Sequence, residues 1–210
     1  TGLDDALSGV DAVVDVANVA TLRRAKAEAF FAAVTRHLMG AAQRAGVAHY
    51  VVLSIVGIDR VSTGYYKAKQ LQERLVLEGP VAATVVRATQ FHEFSEQVSS
   101  RLSGPVLVVP DLRVQPVAAR EVGEHLAGLA VGAPHGRAPD LAGPRPESLY
   151  SMIRALRRAQ GDRRPILPVR LRVGPIRAAA GGGLIPETDG PRGTETFDQW
   201  LTARTGDSVG

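Results

Sequence analysis

The 210-residue chain contains no cysteine. That excludes disulfides and thiolate-held metals, and no metal is expected. Long apolar runs are absent as well. None approaches the roughly 20 residues needed to cross a bilayer, so no membrane contact is expected. No basic leader followed by a short apolar stretch opens the chain, and a cytoplasmic location is the default expectation. Lysine is scarce: of 25 basic residues, only Lys26, Lys67 and Lys69 are lysine. Two of the three lie in "GYYKAKQLQE", beside two of the four tyrosines, Tyr65 and Tyr66.

Arginine carries the remaining positive charge, unevenly. Residues 1–100 hold ten basic and ten acidic side chains, whereas 145–177 hold nine arginines against Glu147 and Asp162. Such a patch suits a polyanion. However, no aromatic interleaving and no helix-turn-helix pattern accompanies it, so an exposed Arg-rich lobe is expected and nucleic acid is not.

Short Val-rich runs recur: "AVVDVA" from Ala12, "YVVLSIV" from Tyr50, "ATVVRA" from Ala83 and "VLVVP" from Val106. Being apolar on both faces, they read as strands of a parallel sheet covered on both sides. Between the first two lies an Ala-rich helix over Leu22–Ala45, with Phe30, Val34, Leu38 and Ala41 at helical spacing and Gly46 as its stop. The "GYYKAKQLQE" stretch opens a second helix, which runs to Gly79-Pro80. The alternation predicts an α/β fold. Further helices are expected over Ala118–Val131, over Glu147–Gln160 and in "TETFDQWLTAR", the last with Thr194 as its N-cap. "GRAPDLAGPRP" reads as extended, "PILPVRLRV" as a strand or a Pro-punctuated connection, and "AAAGGGLIPE" as a mobile loop, since it lacks the Lys-Ser/Thr of a phosphate loop. The first strand is reached almost at once, although a doubly wound sheet places such a strand in its middle. An N-terminal portion of the fold is therefore expected to be missing.

Tyr65 and Lys69 are four apart, on one face of the second helix. To exchange protons near neutrality, a phenol must be drawn down from about 10, at a cost of roughly 4 kcal/mol. An ammonium about 4 Å away supplies on the order of 4 kcal/mol at an effective dielectric of 20. Ser54, at the end of the preceding strand, could hold the same substrate oxygen. Phenol, ammonium and hydroxyl then form an acid/base set. Arginine, a broad and permanently charged fork, would not replace a compact ammonium there. The competing reading leaves Lys67 and Lys69 as surface charges, with Lys69 pairing Glu73.

A strand ending in Ser54, a loop with Gly57 and Asp59, and "YYKAK" opening a helix resemble the short-chain dehydrogenase/reductase superfamily. The likeness is closer to its atypical, NmrA-like NAD(P)-binding members, on "GVDAVVDVAN", "AAQRAGVAHYVVLSIVGID", "VVRATQFHEF", "VQPVAAREVGEHLAGLA" and "DLAGP". It covers most of residues 3–160. It implies a Rossmann-like doubly wound parallel sheet, N-terminally truncated, over residues 1–131, with a smaller irregular substrate lobe over 132–210. It implies NADP or NAD as cofactor and Ser54, Tyr65 and Lys69 as the catalytic set. The resemblance places Ala17, Asn18, Tyr65, Lys69 and the run Arg87, Ala88, Thr89, Gln90, Phe91 along the cofactor. Ile55, Phe91, His92 and Phe94 would face the substrate, with His92 read as a packing histidine rather than a general acid. Phe197 and Trp200 are further candidates for the pocket lining.

The family's opening Gly-x-x-Gly-x-x-Gly turn, which binds pyrophosphate at a helix N-terminus, has no counterpart in this sequence. Two functions are expected from the resemblance: an oxidoreductase acting on a small carbonyl or alcohol, or a non-catalytic redox-sensing regulator with a protein partner.

Overall fold

The structure is a computed structural model that describes residues 2–21, 23–169 and 174–206. After a short helix α1 (Gly2–Ala6), four parallel strands form the main sheet in the order β1 (Ala12–Asp15), β2 (His49–Ile55), β3 (Ala83–Ala88) and β6 (Gly136–Arg137). Registers run Val13 to Tyr50, Val52 to Val85 and Thr84 to Gly136. Helices α2 (Arg24–Ala45) and α3 (Gly64–Leu77) cover one face, and α5 (Ala119–Ala130) covers the other.

The period-two alternation of a strand decides which side chain meets which layer. Tyr50, Val52 and Val85 pack with Met39, Ala42 and Val76 on the α2/α3 side. Val51, Val86 and Ala88 pack with Val122 and Leu126 on the α5 side. This is the doubly wound α/β architecture anticipated from the Val-rich runs. Because residues 136–137 add the fourth strand, the sheet draws on chain beyond residue 131.

β1 lies at the sheet edge, paired with β2 alone among the described residues. Several features differ from expectation. Val14 is 40 % exposed and Val16, just past the strand, 57 %, rather than covered. "VLVVP" is a strand, β4 (Leu107–Pro110), but it pairs with β8 (Ile166–Val169) in a separate two-stranded sheet, leaving Val108 exposed. The remainder of "PILPVRLRV", residues 170–173, and Leu22 lie outside the described residues. In α2 the buried stripe is Ala27, Phe31, Thr35, Met39 and Ala42, so Phe30, Val34 and Leu38 flank it. Gly46 does end that helix, at φ 73°, where its N–H bonds the Ala42 and Gln43 carbonyls.

Toward the C-terminus, Glu147–Ser148 form a short strand, β7, against β5 (Arg113–Val114), and α6 begins at Leu149 and ends at Ala159. "AAAGGGLIPE" is packed, not looped out. A helical turn, α7 (Gly174–Ala178), passes into a π turn (Ala179–Gly183), and Ala179 and Leu184 join a core cluster with Val61, Met152, Phe197 and Trp200. The last helix, α8 (Phe197–Gly206), is capped by Thr196 rather than Thr194. Thr196 Oγ1 accepts from Gln199 N at 3.3 Å, and Gln199 Oε1 accepts from Thr196 N at 2.9 Å, a reciprocal capping box. Thr194 bonds Glu121 instead. A small helix α4 (Phe94–Ser99) completes the elements. No helix among the described residues is long and apolar enough to cross a membrane.

Candidate functional site

In open parallel sheets, ligands sit beyond the carboxyl ends of the strands. Here the ends of β1, β2 and β3 meet the first turns of α3, and two buried carboxylates organise them. Asp15, the last residue of β1, is 3 % exposed. Its Oδ2 accepts from Tyr50 Oη at 2.8 Å and Gln72 Nε2 at 3.1 Å. Its Oδ1 takes the Ala17 N–H at 2.9 Å, which turns the chain after the strand. The next residue, Asn18, is exposed, and its Oδ1 accepts from Val19 N at 2.7 Å and from the Tyr65 hydroxyl at 2.5 Å. Residues 47 positions apart in sequence are thus joined at the strand ends.

α3 starts at Thr63, whose side chain accepts from Tyr66 N, and this cap sets Tyr65 in the first turn. Tyr65 is half-buried, edge-on to Phe31 at 5.7 Å. Lys69 is 4 % exposed. Its Nζ donates to the Leu53 carbonyl at 2.7 Å and to Gln72 Oε1, and lies 4.8 Å from the centre of the same Phe31 ring. Burial lowers Lys69 to about 8, although Asp15 and Glu73 pull it upward. The sequence predicts a Tyr65 drawn down by that ammonium. Instead, burial raises it, because Phe31 shields the phenol from water while the ammonium is engaged by a carbonyl and an amide.

Glu73, 2 % exposed, is the second organiser. It accepts from Ser54 Oγ at 2.5 Å, from Arg87 Nε and Nη2 at 2.8 and 2.7 Å, and from Arg137 Nη1 at 2.6 Å. Arg87 also pairs with Asp59 at 2.5 Å. Burial alone would push Glu73 up; hydrogen bonds from Arg87, Ser54 and Arg137 outweigh it and hold the carboxyl below its ordinary range. Glu73 therefore pairs with two arginines, and not with Lys69 as in the surface-charge reading. Ser54 directs its hydroxyl to Glu73.

The run after β3 spreads in several directions. Ala88 bridges to Leu141, and Ile55, half-buried, pairs in register with Ala88. Thr89 Oγ1 donates to the Gln115 carbonyl at 2.6 Å. At Gln90, neither Nε2 nor Oε1 has a hydrogen-bond partner, and both are shut from solvent. Phe91 packs on the α5 side with Val86 and Leu126, whereas Phe94 packs with Val109, Leu149 and Ile153. His92 is fully buried. Its Nε2 meets the Glu195 carbonyl at 3.1 Å, its ring lies 5.9 Å from Phe197 and 5.7 Å from Trp200, and burial lowers its pKa. Phe91, His92 and Phe94 thus enter different packing groups. Phe197 and Trp200 stack on each other at 5.4 Å, 3 % and 8 % exposed.

Asp15, Phe31, Gln72 and Glu73 were not singled out as site residues from the sequence. The available signals were an acid inside "AVVDVA" and two polar residues three and four positions after Lys69, on its own helix face. Among the described residues, no group of histidines and acids is placed to hold a metal ion.

Comparison with known proteins fits this arrangement. No curated protein sequence matches. The solved structures that match include the Escherichia coli NADPH-dependent quinone oxidoreductase QOR2 in complex with NADPH, at 17 % identity and a TM-score of 0.73, covering 96 % of this chain and 79 % of that one. A short-chain dehydrogenase/reductase superfamily protein from Agrobacterium tumefaciens with bound NAD matches at 18 % identity and 0.67, covering 99 % and 82 %. The NAD-dependent NDP-hexosamine 5,6-dehydratase TunA, involved in tunicamycin biosynthesis, matches at 16 % and 0.68, covering 98 % and 80 %. At such identities these proteins share the fold, a Rossmann-like NAD(P)-binding one. The model of the NAD(P)H-binding family matches residues 1–107, more than half of the sequence, and the chain belongs to that family.

Proposed function

We propose that the chain binds NADP(H) or NAD(H) across the carboxyl ends of β1, β2 and β3, and works as an oxidoreductase of the atypical short-chain type on a small carbonyl or alcohol. The observation that carries this reading is the 2.5 Å contact between the Tyr65 hydroxyl and Asn18. It joins the turn after β1 to the start of α3 at the strand ends. The residues present fit a dinucleotide at one further point. Gln90 offers a donor and an acceptor, both unpartnered, which suits a primary carboxamide.

When bound, the nicotinamide would supply or take hydride. Tyr65 then gives or takes the proton on the substrate oxygen. A phenol raised by burial stays protonated at neutral pH, which favours the reducing direction. Asn18 orients the phenol. Lys69 acts as a positioning residue, holding the end of β2 through the Leu53 carbonyl and supporting Phe31 beneath Tyr65. Ser54 is likewise a positioning residue through Glu73.

A second reading rests on the same two side chains. Lys69 and Ser54 are both engaged by protein partners, which favours a redox-sensing regulator that binds NADP(H) or NAD(H) without turnover and signals to a protein partner. Loss of reduced-nicotinamide absorbance over a panel of quinones and carbonyl compounds separates the two. The oxidoreductase reading expects turnover that Tyr65→Phe reduces at least about 100-fold while binding of the reduced cofactor persists. Equal activity of Tyr65→Phe and the parent would remove the assigned role. Binding without turnover on any compound would favour the regulator.

A further inference from the structure

A cavity of about 420 Å³ opens where the β2–α3 connection meets the glycine-rich segment. Its walls include Arg60, Arg177, Gly181, Gly182, Gly183 and Glu187. Two features fix its shape. Gly57, at φ 85°, lies against the Gly183 carbonyl so closely that any β-carbon would collide with it. Arg60, on the same connection, donates from Nε to the Gly183 carbonyl at 3.2 Å and from Nη2 to the Ile185 carbonyl at 2.5 Å. The guanidinium is therefore oriented by main chain before any ligand arrives, and its remaining corner, Nη1, meets Glu187 Oε2 at 2.9 Å.

The charges in this cavity do not balance. Arg60 has Glu187 as its counter-ion, but Arg177 is exposed and has no ion-pair partner among the described residues. Among the side chains that line the cavity, two guanidinium groups and one carboxylate leave one positive charge over; Asp140, outside the lining, also feels the Arg60 charge. The Glu187 side chain is 74 % exposed, against 27 % for Arg60. A pair so open to water is worth about 0–1 kcal/mol, and another anion can replace it at little cost. At positions 181 and 182 the glycines leave open space where side chains would stand.

We propose that this cavity binds the anionic group of a small molecule, a carboxylate or a phosphate, between Arg60 and Arg177, and that Glu187 is the internal anion it displaces. Planar guanidinium forks suit either group, since both present paired oxygens. The site is independent of the dinucleotide reading.

The test is a titration of the ¹⁵N-labelled chain with inorganic phosphate, with acetate and with chloride at fixed ionic strength, following the backbone amides of Gly181, Gly182 and Gly183. Saturable shifts are expected with phosphate or with acetate, whichever the site prefers, and not with chloride. Affinity should tighten about fivefold in Glu187→Gln and weaken about fivefold in Arg177→Ala, the change that corresponds to roughly 1 kcal/mol for one exposed charge. Both side chains are exposed, so both variants should fold, and their amide spectra report it. Shifts that fail to saturate, that chloride reproduces, or whose midpoint is the same in both variants would overturn the proposal.

Discussion

At the scale of single residues, the site is governed by what its charges touch. Glu73 accepts four hydrogen bonds from Ser54, Arg87 and Arg137 while nearly inaccessible to water. Removing its charge leaves the partly buried Arg87 with Asp59, an exposed carboxylate, as its remaining ion-pair partner among the described residues. Glu73→Gln should cost about 3 kcal/mol in urea unfolding, whereas Arg137→Ala, on a half-exposed partner, should cost less than about 1 kcal/mol. Equal costs would contradict this ranking. Lys69 makes the sign of a pH effect testable. Its folded value is about 8 against an ordinary 10.5, so between these values the unfolded chain holds a proton that the folded chain has released. Stability contributed by this group therefore rises with pH across that window, at up to about 1.4 kcal/mol per pH unit. The difference in unfolding free energy between the parent and Lys69→Met should grow from pH 8 to 10, and a shrinking difference would show that the ammonium is not buried. None of this was readable from the Tyr-x-x-x-Lys spacing. Spacing puts two side chains on one helix face but does not say that a carbonyl from the strand below and an amide three residues on will take up the cation.

At the scale of elements, local rules served where local chemistry decides the outcome. Gly46 stops α2 because only a left-handed residue lets its N–H reach back to the Ala42 and Gln43 carbonyls. The Val-rich runs became β1 to β4 because β-branched residues fit a pleated surface. Tertiary contact overrode one local signal. Thr194, the cap expected for α8, is held by Glu121, and Thr196 caps the helix instead. Thr196→Ala should lower stability by about 1 kcal/mol through loss of the capping box, measured by thermal unfolding. Glycines in "AAAGGG" read as a loop because propensity is all that sequence offers there. The pairing with Gly57 that orders them comes from 126 positions away, at Gly183. Gly57→Ala should separate these segments, destabilise the chain by about 2 kcal/mol or more and broaden the amides of 179–184. An unchanged spectrum would contradict the contact.

At the scale of the whole molecule, the fold class was legible and the neighbourhood of each strand was not. Alternating apolar strands and helices specify α/β layering, but "VLVVP" does not reveal that β4 would join a second sheet with β8. Strand partnership depends on which long-range pairs form. The Arg-rich lobe changes meaning at this scale too. Arg145 pairs with Glu147 and Asp198, and Arg157 and Arg164 share Asp162, so part of its charge is neutralised within the fold. The β1 edge, with Val14 exposed within the strand and Val16 just past it, is a surface that strand pairing can extend. Val16→Lys should therefore reduce concentration-dependent self-association in sedimentation, and identical behaviour of variant and parent would remove the edge as its cause. The central claim is that reduced dinucleotide lies across the carboxyl ends of β1, β2 and β3 beside Asn18 and Tyr65. Mapping NADPH-induced shifts on the ¹⁵N-labelled chain tests it most directly. The largest saturable shifts are expected at residues 16–19, 54–57 and 89–91, and saturable binding is expected to persist in Tyr65→Phe; shifts confined to other surfaces, or none at saturating NADPH, would contradict this placement.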